Sequence, residues 1–251
     1  MFSERLEFAI RAATLAGKFT LGHFQTGTLV ERKSDGSPVT LADRGAERMI
    51  REAIETTYPG DSILGEEEGR TGDSPNRWVI DPIDGTKSFV AGVPLFGTLL
   101  SYEVEGEPVL GVVYFPGLNE LHFAEKGKGA YWNGQPSRVS KKTSLSDSVV
   151  CVGSHKNLKK YGHSESFQRI ADTALATRTW CDAYGHMLVA SGRVEAMIDP
   201  VVAYHDVSAV KIIIEEAGGV FSNLAGSPEW REEAMTSAPG VREEILRLLA
   251  L

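Results

Sequence analysis

Cysteine is nearly missing from this chain: its 251 residues contain only Cys151 and Cys181. Two scattered thiols are too few for a disulfide framework or a thiolate zinc site, so the expected setting is a reducing one, with both side chains packed as small apolar groups. Positive charge is also short. Lys and Arg number 26 against 34 Asp and Glu, a formal net charge of −8. Nucleic acid is held mainly by cations that neutralise its phosphates, so an acidic chain is a poor general ligand for it, and equally for an anionic membrane surface. Long apolar runs are absent as well. No stretch approaches the roughly 20 residues that a membrane helix needs. The opening Met1-Phe2-Ser3-Glu4-Arg5 has neither the basic region nor the apolar stretch of a secretory leader. The expectation is a cytoplasmic protein with no nucleic-acid or membrane partner. If such a protein acts on an anion, something other than its net charge must attract that anion, and a metal ion is the obvious intermediary.

What is present is an ordinary globular composition, 42% hydrophobic and 24% charged, in a length that suits one large domain or two small ones. Residues 4–24 read as an amphipathic helix with Leu6, Ala9, Ile10, Ala13 and Leu21 near one face. A polar loop, Glu31 to Pro38, follows, and 42–57 reads as a second helix stopped by Tyr58-Pro59-Gly60. From 61 to about 140 the pattern becomes short β runs, with turn signals at Glu105-Gly106-Glu107-Pro108 and Asn133-Gly134. Beyond 143 strands and helices alternate: strands at 149–152, 194–198 and 220–221, and helices at 163–176, 182–191, 206–217 and 241–250. An α+β first half and an α/β second half are therefore expected, with residues 1–142 forming one subdomain and 143–251 the other.

Chemistry concentrates in Trp78-Val79-Ile80-Asp81-Pro82-Ile83-Asp84-Gly85-Thr86. An apolar strand delivers two carboxylates three positions apart, then a glycine and a hydroxyl. Hard divalent cations take oxygen ligands, and Mg²⁺ is typically held by a few carboxylates together with substrate phosphate. Gly85 lets the backbone approach an anion closely, and Thr86 offers a hydroxyl to a water. Upstream, Glu66-Glu67-Glu68 puts three acids after another apolar strand; alone it reads as a solvated loop. Downstream, Asp199 precedes Pro200, and Asp206 alone reads as a helix N-cap. Asp43 alone reads as a first-turn helix acid. His186, on a mostly apolar helix, reads as a core histidine.

Gly65-Glu66-Glu67, then Asp81-Pro82-Ile83-Asp84-Gly85-Thr86, then an aspartate opening a late helix that closes on Glu216-Ala217-Gly218-Gly219, resembles the inositol monophosphatase superfamily over nearly the whole chain. The resemblance implies a layered α-β-α-β-α sandwich and a phosphoric monoester hydrolase using two to three Mg²⁺ ions. It implies that Glu66, Asp81 and the main-chain carbonyl of Ile83 hold one ion, and Asp81, Asp84 and Asp206 a second. Glu67 stands near a weaker third. Asp43 and Thr86 become the pair that orients and deprotonates the attacking water, with Glu66 beside them. The main-chain N–H groups of Gly85 and Thr86 hold phosphate, and Lys33 lies on a mobile loop near the metals. Lithium inhibition and a homodimer are implied in the same way.

The alcohol that leaves is expected to be set by the second half. Asp182, Tyr184 and Gly185, in Arg178 to His186, are similar to the histidinol-phosphatase branch of that superfamily, as is Lys87 to Leu99. Histidinol phosphate carries an ammonium and an imidazole. Asp199 can pair with that cation, Asp182 is a second candidate, and Arg178 belongs to the same substrate region. As turn acid and N-cap, Asp199 and Asp182 also have plain structural readings. The alternatives are an inositol-1-phosphatase, a broad sugar phosphatase, or a fold-retaining regulatory protein without activity. Two positions depart from the superfamily pattern: His205 stands where Trp is usual, and Cys181 where Gly is common.

Overall fold

The computed structural model describes residues 1–33, 36–180, 182–229 and 232–250. Ser34 and Asp35 of the polar loop, and the departure at Cys181, lie outside the described residues. The first half runs α1 (Glu4–His23), β1 (Val30–Arg32), β2 (Pro38–Thr40), α2 (Leu41–Thr57), β3 (Ser62–Gly65), β4 (Gly69–Thr71), β5 (Arg77–Asp84), α3 (Thr86–Val90), β6 (Gly97–Val104), β7 (Glu107–Phe115), β8 (Glu120–Glu125), β9 (Ala130–Trp132) and β10 (Gln135–Ser137). After a 3-10 turn at Leu145–Asp147 come β11 (Val149–Val152), α4 (His155–Lys160), α5 (Ser164–Thr173), β12 (Ala176–Arg178), α6 (Asp182–Ala190), β13 (Ala196–Asp199), α7 (Tyr204–Glu216), β14 (Val220–Ser222), β15 (Ala234–Ser237) and α8 (Pro239–Ala250).

Eight strands form one sheet in the order β10-β9-β8-β7-β6-β5-β3-β4, and five form another in the order β12-β11-β13-β15-β14. Strand alternation fixes what covers each face. In the large sheet Trp78, Ile80, Leu100, Leu110 and Val112 face α1 and α2, against Leu6, Ala9, Ile50 and Ile54. Leu99, Val113, Phe115 and Ala124 point the other way, into a layer built from α6 and α7. In the small sheet Cys151 and Met197 face that same middle layer. Val150, Val152, Ala196 and Ile198 face Phe167, Ile170, Val241 and Ile245 of α5 and α8. The result is the expected α-β-α-β-α sandwich. Each fully buried aliphatic side chain contributes on the order of 2 kcal/mol.

Both predicted hairpins form, and for the backbone reason that turn type demands. Glu105 and Gly106 have φ of 54° and 86°, Asn133 and Gly134 of 47° and 79°, the two successive positive values of a type I′ turn. Three local expectations need correction. The helix expected over 163–176 stops at Thr173, and Ala176–Arg178 is a parallel strand beside β11. A three-residue edge strand is too short to show a period of two. β15 was not anticipated, because Ala-Met-Thr-Ser carries no alternation and is recruited by pairing with β13 and β14. Asp206 is not the N-cap of α7: Ala203 is, and Asp206 accepts its N–H at 2.8 Å from the first turn. His186 is a core histidine, bonded through Nδ1 to Thr236 Oγ1 at 2.8 Å, and burial pushes its pKa down to about 3. Cys151 is buried, which raises its thiol pKa to about 12. Among the described residues no helix is long and apolar enough to cross a membrane.

Candidate active site

A strand that alternates strictly would send Asp81 and Asp84, three positions apart, to opposite faces. β5 does not alternate strictly. Asp81 pairs with Leu99 and Asp84 with Gly97, so β5 carries one extra residue against β6. This bulge turns both carboxylates to one side. Thr98 Oγ1 secures the bulge by donating to Pro82 O at 2.9 Å. The chain then reverses at Gly85, whose φ of 78° and whose approach to Leu95 O, 2.9 Å from where a Cβ would stand, admit only glycine. Thr86 opens α3 and donates to Ile83 O at 3.0 Å, which leaves the second lone pair of that carbonyl and both lone pairs of the hydroxyl available.

Glu66 arrives from the neighbouring strand. β3 runs parallel to β5, and Glu66 N–H bonds Ile80 O at 3.2 Å just where β5 reaches Asp81. The acidic loop after β3 is held from behind by Glu47 of α2. Its buried carboxylate accepts Glu67 N–H at 2.7 Å, Glu68 N–H at 2.9 Å and Arg51 Nε at 2.8 Å. Arg51 in turn bonds Gly69 O and, at 3.2 Å, Thr71 Oγ1. A Cβ on Gly65 would lie 2.1 Å from Glu47 Oε1, so that glycine is what lets the loop settle on its clamp. From the far side, α7 brings Asp206. Its first turns are tied to β5 and β6 through buried Glu103, which accepts Arg77 Nε at 2.6 Å, Tyr204 OH at 2.9 Å and Ser208 Oγ at 2.7 Å.

These elements enclose a cavity of about 400 Å³ whose lining includes Lys33, Glu66, Asp81, Ile83, Asp84, Gly85, Thr86, Asp182, His205 and Asp206. Single ligand atoms of Asp81, Asp84 and Asp206 lie within 4.8 Å of one another, and so do those of Glu66, Asp81 and His205. Burial and mutual repulsion raise the carboxyl groups. Asp81 is pushed well up by burial and by Glu66, Asp84 and Asp206, and Asp84 by burial and by Asp182 and Asp206. Burial raises Asp206 as well, although His205 and the Ala203 N–H oppose it. Lys33 bonds Glu66 at 2.7 Å and Glu67 at 2.6 Å. Burial disfavours its charge, but the two acids prevail and raise its pKa. Glu67 is pushed up to about 6 by burial, against the bond from Lys33.

The donor set fits a divalent cation on two grounds of structure. Asp81 is 2% exposed, yet its Oδ1 has no hydrogen-bond partner, a costly state for a buried oxygen that a cation would relieve. The converging donors are mostly carboxylate oxygens and a carbonyl, the hard ligands that such ions prefer.

Other expected residues stand at varying distances from this centre. Asp43 is the third residue of α2 and closes a capping box: its Oδ2 accepts Thr40 N–H at 2.7 Å and Thr40 Oγ1 at 2.6 Å, while its buried Oδ1 has no partner. Burial raises its pKa, the Thr40 bonds lower it, and Glu66 is near enough to raise it further. Asp43 and Thr86 do not bond each other; their bonds go to Thr40 and Ile83. Asp182 opens α6 with a φ of 58°, and the next N–H, of Ala183, donates to Asp84 Oδ2 at 2.9 Å. Asp199 is buried, raised well above the usual range by burial and by Asp182 and Asp206, with Gly153 against its carboxylate. Among the described residues, those lining the cavity include neither Asp199 nor Arg178, the latter an exposed residue whose Nη1 bonds Thr177 O at 2.7 Å. Glu47, Arg51 and Glu103 were not anticipated. The i, i+4 spacing of Glu47 and Arg51 on the apolar face of α2 was the available signal.

A two-strand delivery of acids, a bulge and a glycine turn, met by a helix from the second half, gather the oxygen donors that a metal-dependent phosphatase of the inositol monophosphatase class requires. Residues 1–249 match the sequence profile of the inositol monophosphatase family, and the chain belongs to it. It is 44% identical over 223 residues to a histidinol-phosphatase of Chlorobaculum parvum, covering 88% of this chain and 86% of that one. It is 36% identical over 237 residues to a histidinol-phosphatase of Streptomyces coelicolor, covering 90% and 89%. Its fold superposes on the solved structure of an IMPase from Thermotoga maritima with a TM-score of 0.91 at 32% identity, over 99% of this chain and 97% of that one.

Proposed function

We propose that the protein is a Mg²⁺-dependent histidinol-phosphatase that hydrolyses L-histidinol phosphate to L-histidinol and inorganic phosphate. The observation that carries the chemistry is the buried, partnerless Asp81 Oδ1 among the oxygens of Glu66, Asp84 and Asp206. Glu66, Asp81 and Ile83 O would hold one ion and Asp81, Asp84 and Asp206 another, with Glu67 beside a weaker third. Bound there, Mg²⁺ would supply Lewis-acid polarisation of the phosphate and lower the pKa of a water toward neutrality. The chain's own residues do the rest. Asp43 and Thr86 orient the attacking water and take its proton, the free lone pairs of Thr86 Oγ1 and Asp43 Oδ1 being the acceptors. Gly85 and Thr86 N–H groups hold the phosphate oxygens in line for displacement. Asp182 at the cavity wall, with buried Asp199 near enough to influence it electrostatically, favours the ammonium of the leaving alcohol, and the 44% identity to a histidinol-phosphatase supports that choice. The family likeness supports lithium inhibition, a homodimer and a cytoplasmic setting.

The deciding experiment is a steady-state panel of phosphate monoesters with Mg²⁺ and with chelator. Histidinol phosphate is expected to exceed inositol 1-phosphate in kcat/KM by at least about 10-fold, a difference of about 1.4 kcal/mol in transition-state binding. A preference for inositol 1-phosphate would reassign the substrate. Phosphate release that persists in chelator would overturn the mechanism.

A further inference from the structure

His205 lines the cavity, and the proposed reaction gives it no part. His205 sits in the first turn of α7, next to Asp206, with Nε2 3.3 Å from Asp206 Oδ1 and 3.9 Å from Glu66 Oε1. Its ring nitrogen, a Glu66 oxygen and an Asp81 oxygen all lie within 4.8 Å of one another. Ligand atoms about 2.2 Å from one ion stand up to about 4.4 Å apart, so small side-chain rotations close the difference. The placement is not left to chance. Ser208, one turn further along α7, bonds Ser101 at 2.6 Å and Glu103 at 2.7 Å, so the helix start is anchored to the large sheet. The partnerless Asp81 Oδ1, on a residue 2% exposed, marks the same spot as short of a cation.

We propose that His205 is a nitrogen ligand of the ion held by Glu66 and Asp81, and that it shifts this site's preference from Mg²⁺ toward Mn²⁺ and Co²⁺. The inference rests on the metal-dependent reading above. A neutral imidazole offers a lone pair to a cation that the carboxylates already hold. Mg²⁺ gains little from nitrogen, whereas the later divalent ions of the first transition row bind imidazole well. One residue exchange in a shared scaffold thereby changes which ion the site selects.

The test is electron spin-echo envelope modulation on the full chain loaded with Mn²⁺, paired with calorimetric titration of Mn²⁺ and Mg²⁺. Of the six histidines, His205 is the one lining the cavity among the described residues, so imidazole ¹⁴N modulation on bound Mn²⁺ identifies it. The wild type is expected to show that modulation and His205→Phe to lose it, with Mn²⁺ affinity falling at least about 10-fold and Mg²⁺ affinity less than about 2-fold. Should His205→Phe fail to fold, the wild-type spectrum decides alone. Bound Mn²⁺ without ¹⁴N modulation overturns the role of His205 while the metal centre stands. Equal losses of Mn²⁺ and Mg²⁺ affinity overturn the selectivity. No Mn²⁺ binding at all overturns the metal centre and this inference with it.

Discussion

Two buried acidic centres meet at the loop after β3, and they are built on opposite rules. Behind the β3 loop, Glu47 is buried and both its oxygens accept hydrogen bonds, from two loop amides and from Arg51. In the cavity, Asp81 is as deeply buried, yet one oxygen has no partner and its neighbours are acids. A buried carboxylate with both oxygens hydrogen-bonded is scaffolding: it holds backbone, and its charge is already answered. A buried carboxylate facing other carboxylates is unstable by itself and makes sense only beside a cation. The first centre fixes the position of the second, because Glu47 holds the two amides that follow Glu66.

That contrast is open to experiment. The largest effect is expected from Asp84→Asn, which removes a cavity charge without changing shape: turnover should fall more than about 1,000-fold, since metal and phosphate both depend on that oxygen. Circular dichroism should show the fold retained. Full activity would show that the cavity acids are not the catalytic ones. Glu47→Ala should act in the opposite manner. It removes the buried carboxylate shared by Arg51 Nε and two loop amides, and loss of one partner of a buried pair costs about 3–5 kcal/mol, a fall in Tm of roughly 10 °C in thermal unfolding. A Tm within about 2 °C of wild type would remove the clamp from the account.

The cavity centre also responds to pH. Asp81 and Asp84 are held up by burial and by their acidic neighbours in the folded chain and return to about 4 on unfolding. Without metal, the folded state therefore binds more protons than the unfolded one above that pH, and these groups cost stability as pH rises. A divalent cation takes the place of the protons. The increase in Tm caused by Mg²⁺ should accordingly be larger at about pH 7.5 than at about pH 5, and an equal increase at both would contradict it. The smallest effect concerns specificity. Asp182→Asn should raise KM for histidinol phosphate roughly 5- to 10-fold, about 1 kcal/mol, and leave KM for an uncharged monoester nearly unchanged. Equal changes for both substrates would take Asp182 out of cation recognition.

Much of the site was legible because its chemistry is contiguous. Asp81 to Thr86 sits at the end of an apolar strand, and acid, proline, glycine and hydroxyl are recognisable side by side. Glu66 was legible by the same logic, an acid just past a strand. Asp206 was legible only through resemblance, since alone it reads as an N-cap; it is instead a first-turn residue that accepts the N–H of the cap, Ala203. Glu103 could not be singled out, because its partners Tyr204 and Ser208 lie about a hundred residues away along the chain. β15 could not be either, since its pairing rather than its composition makes it a strand.

Local order along the chain determined which residue types are available: a run of apolar residues that must be strand, a glycine where only glycine turns, acids too close together to remain unpartnered. Tertiary structure alone decided which of those acids meet. A one-residue bulge put Asp81 and Asp84 on the same side, parallel pairing set Glu66 beside them, and an anchored helix carried Asp206 and His205 across from the other half. Electrostatic interaction depends on distance in space, and distance along the polymer does not reveal it.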